Sequence, residues 1–233
     1  MTYGTEWFRI WIGKRRLYWR GARSGLVMEK TIQRHRTAKE PCDKKGCGRP
    51  LDKEASRRIL HAAVELLDEQ GFHEVTSEAI AQRAGVSKAT IYRRWPDKAS
   101  LLIEAFREAV APQIAYADTD SLRDDLRQQL RDFTKMLMGQ PGRVFKAFVA
   151  AAQKDPEVAD AFRTFWIKPR RMQARKLLIR KQERGQLRAD LDLDAVLDML
   201  YGPIYFRLLR GHAPISTKYA ETIADTALDG LRP

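Results

Sequence analysis

Cysteine, histidine and long apolar runs are scarce in this chain, and each scarcity removes a class of function. Two cysteines in 233 residues cannot form the disulfide framework of a secreted scaffold. Cys42 and Cys47, with His35 upstream, offer three N or S ligands, one short of a structural zinc site unless two chains share it, so no metal is expected. His35, His61, His73 and His212 are scattered, and no nucleophile, base and orienting group come together along the sequence. A Gly-rich phosphate loop is also missing. We therefore expect neither an enzyme nor a cofactor. No apolar run approaches the ~18 residues needed to cross a bilayer, and residues 1–27 lack the uninterrupted apolar segment and cleavage site of a secretory signal. The expected location is the cytoplasm, without a membrane partner.

Positive charge, by contrast, is plentiful and uneven. The net charge is +13, and residues 1–50 hold 13 Lys and Arg against 4 acids. This stretch is expected to be a disordered basic extension. Its first part carries Trp7, Trp11 and Trp19 among Lys14, Arg15, Arg16 and Arg20, just ahead of Met28. Such alternation suits an amphipathic segment at a membrane surface. The reading adopted here is instead that translation starts at Met28 and that the upstream residues are a start-site artefact or a disordered extension. A basic arm in front of a DNA-reading unit adds sequence-independent attraction to phosphates; a solvated tail is the alternative.

Residues 51–100 are balanced, with 8 basic and 8 acidic residues, so any DNA affinity there requires the acids to be kept on the far side. A first helix spans about 54–70, with Ile59, Ala63, Leu66 and Leu67 on one face, and ends at Gly71. Thr76 caps a second helix carrying Ile80, Ala81 and Ala84, which stops at Gly85. Val86 anchors a short turn, and Ser87 caps a third helix. Ile91 and Trp95, four apart, face inward and leave Lys88, Ala89, Tyr92 and Arg93 outside. Two helices joined by a short Gly-containing turn can seat the second in a DNA major groove.

The order Thr76, Ile80-Ala81, Ala84-Gly85-Val86-Ser87, Thr90, Tyr92, Pro96 and Lys98 resembles the N-terminal domain of the tetracycline-repressor-like (TetR) regulators, over Ser56–Leu102. Arg184-Gly185-Gln186-Leu187 and Gly202-Pro203-Ile204-Tyr205 resemble the C-terminal domain of one TetR subgroup. The resemblance implies an all-α fold of about nine helices: a three-helix helix-turn-helix domain, then a helical ligand-binding and dimerisation domain over 101–233.

The helical pattern of the remainder agrees. Pro96-Asp97-Lys98 opens a fourth helix that runs to Pro112 and links the two parts. Ser121 caps a helix to Gly139, and Pro141–Ala152 forms the next. Asp155-Pro156 opens a long helix closing at Gly185, which Pro169 should kink or split. The last two helices cover about 193–210, interrupted at Gly202-Pro203, and 217–229 after Ser216.

The resemblance assigns base and groove contacts to Lys88, Ala89 and Tyr92. Phosphate contacts fall to Ser77, Thr90 and Lys98, with Arg93 either a further contact or solvated, and Arg49 fits a minor-groove arm or a plain linker. Phe133, Met136, Phe145, Phe148, Phe162, Phe165 and Trp166 are candidates for a ligand pocket, though each alone also suits a core. The basic run Lys168, Arg170, Arg171, Arg175 and Lys176 either favours an anionic ligand or is the solvated side of a helix, paired with Asp190, Asp192 and Asp194. Val196, Leu197, Leu200, Ile204 and Leu208, with Ile223, Ala224, Ala227 and Leu228, make an apolar surface read as a dimer interface. The function expected is a DNA-binding regulator, a homodimeric repressor on a palindromic operator, released by a small apolar effector. The alternative is an architectural DNA-binding protein whose C-terminal part only dimerises.

Overall fold

A computed structural model describes residues 53–231, which belong to one compact unit. Arg49, Cys42, Cys47, the basic extension and the Met28 start lie outside the described residues. Among the described residues the structure is helical throughout. The helices are α1 (Lys53–Gln70), α2 (Ser77–Ala84), α3 (Lys88–Tyr92), α4 (Lys98–Val110), α5 (Leu122–Met138), α6 (Gln140–Ala152), α7 (Pro156–Phe162), α8 (Lys168–Glu183), α9 (Leu193–Arg210) and α10 (Thr217–Leu231). A π turn, Arg163–Ile167, joins α7 to α8 into one rod, so nine rods are present among the described residues. None of these helices is long and apolar enough to cross a membrane.

Local chemistry sets the helix ends. Thr76, Ser87, Asp97, Ser121, Asp155 and Asp192 each accept a backbone N–H of the first turn they precede. These bonds satisfy donors that have no partner inside the helix. Gly85 closes α2 at φ 64°, a left-handed conformation that a Cβ would strain, and so permits the tight reversal into α3. Pro112 sits in the 3-10 turn Ala111–Ile114 that ends α4.

The two internal prolines behave differently from expectation. The π turn ends immediately before α8, with Lys168 N–H bonded to the Arg163 carbonyl, and Pro169 falls in the first turn of α8, where no donor is needed. The rod is therefore re-registered instead of broken. Likewise α9 runs unbroken through Gly202-Pro203. Pro203 removes one bond to the Met199 carbonyl, and Met199 is on the exposed side, where water can replace the lost donor.

Packing is layered around α4. This helix lies against α1 on one side and against α7 and the π turn on the other. Further out, α10 packs mainly on α5. An ion ladder pins that pair: Arg127 grips Asp225 through two bonds of 2.8 and 2.6 Å, Arg123 reaches the same carboxylate at 2.5 Å, and Arg131 bonds Glu221 at 2.8 Å. Hydrogen bonding from Arg127 holds the Asp225 carboxyl below its ordinary range. The contribution is therefore present above the unfolded carboxylate pKa and lost as pH falls through the depressed one.

The apolar faces of α9 and α10 correct the sequence expectation. Val196, Leu197, Leu200, Ile204, Leu208, Ile223, Ala224, Ala227 and Leu228 are all buried within the single chain, at 9% exposure or less. They form core of the single chain and offer little free apolar surface to a second copy. The reason lies in α9, which is apolar on two sides. One stripe, 196-197-200-204-208, turns inward, while Met199, Phe206 and Leu209 lie on the other and are 45%, 59% and 53% exposed.

Candidate nucleic-acid interface and effector core

Helix α3 is short, and its orientation is fixed from inside. Ile91 and Trp95 are fully buried. Trp95 Nε1 donates to Glu104 of α4 at 2.5 Å, and Arg94 and Arg107 lie 3.4 and 3.6 Å from that carboxylate. Arg94 also stacks on the Trp95 ring. Glu104 thus ties the end of the helix-turn-helix to α4. The sequence reading did not single it out, because an acid between apolar residues of a helix gives no sign of what it will meet.

With Ile91 and Trp95 inward, Lys88, Ala89, Tyr92 and Arg93 are exposed, and Thr90 is half-buried beside Ser87. Arg93 makes no ion pair among the described residues, whereas Arg94 is engaged by Glu104. Lys98 is half-buried: its ammonium donates to the His73 carbonyl at 3.2 Å and lies over the Phe72 ring. Two expectations need correction. Ser77 is 5% exposed, because positions 77, 80, 81 and 84 form one buried stripe of α2, so it presents little surface to a phosphate. Nor are the acids all kept away. Glu78 pairs with Lys88 at 2.5 Å; that hydrogen bond lowers the Glu78 pKa and raises that of Lys88.

This pair predicts a gain of function. Glu78→Gln removes a negative charge beside α3 and frees Lys88, so DNA binding should tighten several-fold with a steeper salt dependence. Weaker binding in a fluorescence-anisotropy salt titration would mean that Glu78 positions Lys88 for its contact.

In the remainder of the chain, Phe133, Met136, Phe145, Phe148, Phe162 and Trp166 are buried, as expected for either core or pocket. Phe165, in the π turn, is half-buried and joins none of the ring contacts below. The rings form a continuous set. Phe72, beside the helix-turn-helix, packs edge-on against Phe148; Phe148 meets Phe106 of α4; Phe106 meets Phe145 and Trp166; and Phe145 meets Phe133 and Phe162.

The sequence reading missed the tyrosines. Tyr201 and Tyr205 of α9 touch Phe133 and Phe145, with ring centroids 5.5 to 5.9 Å apart. Both are half-buried overall, yet their phenol oxygens are withdrawn from water. This raises the Tyr201 pKa well above its ordinary value and pushes Tyr205 up to about 12, so both stay neutral hydroxyls. Tyr201 bonds Tyr116 at 3.0 Å, and Trp166 Nε1 donates to Tyr205 at 3.3 Å. Their i, i+4 spacing beside an apolar stripe was the available signal. Among the described residues no group of three or more His, Cys, Asp or Glu could hold a metal ion.

Comparison with known proteins accords with this geometry. The family model described as "Bacterial regulatory proteins, tetR family" matches residues 59–105, and "Tetracyclin repressor-like, C-terminal domain" matches 116–227. An uncharacterized HTH-type transcriptional regulator, YdeS of Bacillus subtilis (strain 168), is 36% identical over 185 residues, covering 79% of this chain and 93% of that one. The HTH-type transcriptional regulator AqdR of Rhodococcus erythropolis is 27% identical, covering 74% and 83%. The crystal structure of the TetR family transcription regulator SCO0332 superposes with a TM-score of 0.71 at 36% identity, covering 78% of this chain and all of that one. With both halves matched and α3 exposed as the second helix of the motif, this chain belongs to the TetR family of helix-turn-helix transcriptional regulators.

Proposed function

We propose that the protein is a repressor that binds a palindromic operator as a homodimer and is released by a small effector with a largely apolar body. The observation that carries this reading is the coupling of two features through one helix. The exposed edge of α3 is locked to α4 by Trp95 and Glu104, and α4 also contributes Phe106 to the aromatic core. A change in that core that moves α4 would move the reading helix, by as much as an effector's affinity differs between the two states. Fold neighbours include a flavonoid-responsive regulator, FrrA, at 23% identity, and FadR of Bacillus subtilis in complex with stearoyl-CoA, at 18%. One protein of this fold thus holds a ligand with a long apolar chain.

For the contacts themselves, Lys88, Ala89 and Tyr92 read base edges, and Thr90, Arg93 and Lys98 meet phosphates or sugars, assisted by Arg49 from the preceding arm. The dimer would form on the exposed apolar residues Met172 and Ile179 of α8 and Met199, Phe206 and Leu209 of α9, two helices that pack side by side. Pairing them across a two-fold axis makes a four-helix bundle and sets the two reading helices about one DNA turn, ~34 Å, apart. One observation favours the architectural alternative: the rings of the aromatic core lie in mutual contact, with centroids 5.0 to 6.3 Å apart.

The test begins with genome-wide mapping of the DNA that the protein occupies, followed by footprinting on the strongest site. Lys88→Ala and Tyr92→Ala should each weaken specific binding by ~1 to 3 kcal/mol per protomer while the helical circular-dichroism signal persists. If the double variant protects the same site at the same concentration, α3 is not the reader.

A further inference from the structure

Five arginines follow one another along α8 and its end, and four are paired in the same way. Arg171 and Arg175 reach Asp194, Arg171 also reaches Asp198, and Arg180 and Arg184 reach Asp118, all within 3.3 Å. Arg170 differs: it makes no ion pair among the described residues. Its guanidinium lies 4.3 Å over the Tyr116 ring, and its nitrogens end on neutral acceptors. These are the Ile114 carbonyl at 2.8 Å, Gln173 Oε1 at 3.4 Å, and Gln129 at 2.7 Å once the Gln129 amide is oriented to donate to the Ala115 carbonyl. A half-buried cation held by dipoles alone lacks the partner that would best offset its loss of water.

Arg170 does not itself line a void, but the neutral groups around it do. Tyr116 hydrogen-bonds both the Arg170 carbonyl and the Tyr201 hydroxyl. Tyr116, Gln129 and Tyr201 line a void of about 10 Å³ between α5, α8 and α9, closed otherwise by leucines such as Leu126, Leu197 and Leu200 and by Ala174. That volume admits about one water molecule. On its far side Tyr201 abuts Phe133, and through Phe133 the void meets the aromatic core. A fork-shaped cation, two neutral hydroxyl donors and an amide at one end, and flat apolar rings at the other, are complementary to a molecule with a carboxylate head and an apolar body.

The geometry points to an amphipathic monocarboxylate as the effector class, its carboxylate received by Arg170 with Tyr116 and Tyr201 and its apolar part by Phe133, Phe145 and Tyr205. The proposal rests on the effector-released reading above and names its ligand chemistry. A carboxylate would replace neutral acceptors with a charge-assisted pair, which is roughly twice as strong and suited to the guanidinium fork. Because the void holds one water, entry requires α9 to move from α5. That opening is the conformational change.

The experiment uses the full-length protein and isothermal titration calorimetry with matched probes: decanoate and 1-naphthoate against decanamide and 1-naphthamide. At least one acid should bind roughly tenfold or more tightly than its amide. Arg170→Gln should abolish that preference, the acid's affinity falling to that of its amide. Should R170Q fail to melt cooperatively, Tyr201→Phe, which removes one hydroxyl, is expected to reduce the preference instead. Equal affinities for acid and amide, no binding by any probe up to millimolar concentration, or a preference that survives in both variants would overturn the proposal. A separate arm measures operator affinity with each probe. Acids that bind preferentially without loosening the operator would leave the anion site standing and remove the repressor reading. Amides that release the operator as well as the acids do would keep the repressor reading and overturn this one.

Discussion

Charging the outer stripe of α9, by Phe206→Glu with Leu209→Glu, is expected to give a folded monomer that no longer holds a full operator. Both residues are more than half exposed, so the substitutions leave the core untouched. The Phe206 ring lies against His212, just past the end of the same helix. Two half-sites read by a dimer act as one ligand with a high effective local concentration; separating the protomers forfeits roughly 10² to 10⁴ in apparent affinity. Light scattering after gel filtration gives the mass, and anisotropy on the mapped operator gives the affinity. The inner stripe supplies the contrast. Leu200→Glu, at 1% exposure, should unfold the chain outright. If the Phe206 and Leu209 variant remains dimeric, the two-fold contact lies elsewhere.

The other large effect concerns a charge buried far from DNA. Lys181 is fully buried and Asp125 is 1% exposed. The ammonium lies 2.5 Å from Asp125 and 2.5 Å from the Thr119 carbonyl that it donates to. Asp125 also accepts from the Thr119 backbone N–H and hydroxyl, so this pair fastens the loop before α5 onto α8. Lys181→Met leaves an uncompensated carboxylate in the interior and is expected to cost about 3 to 5 kcal/mol, a large part of the ~5 to 15 kcal/mol typical of a folded domain. Removing both charges, by Lys181→Met with Asp125→Leu, should recover most of the loss, because the desolvation of both ions disappears together. Urea denaturation followed by circular dichroism measures both. A double variant as unstable as the single would mean that Asp125 acts through the Thr119 loop rather than through its charge.

Lys181 also illustrates what was legible. It occupies the last place of the stripe Ala174, Leu177, Leu178, Lys181, where a cation among apolar positions announces a buried partner. The sequence could not name that partner, since Asp125 lies more than fifty residues away. Asp125 also stands in the first turn of α5, where an acid suits the helix dipole, so its local setting gave no hint of Lys181. Similarly the basic run on α8 was ambiguous between a solvated face and an anion site, and the fold divides it. Arg171 and Arg175 meet carboxylates of α9, while Arg170, one position earlier, turns toward Tyr116.

The sequence by itself determined the helices, their ends and the family, because caps, left-handed glycines and 3.6-residue periodicity act over a few neighbouring residues. Thr76, Gly85, Ser87, Asp97 and Ser121 perform locally the roles read from them. Only the tertiary structure decided which face of each helix is inside. In α9 both 196-197-200-204-208 and 199-206-209 have helical spacing and apolar content. The first became core because α5, α8 and α10 close over it, leaving the second exposed. A hydrophobic stripe states that a face must be covered, but its cover comes from distant segments whose positions no local pattern encodes.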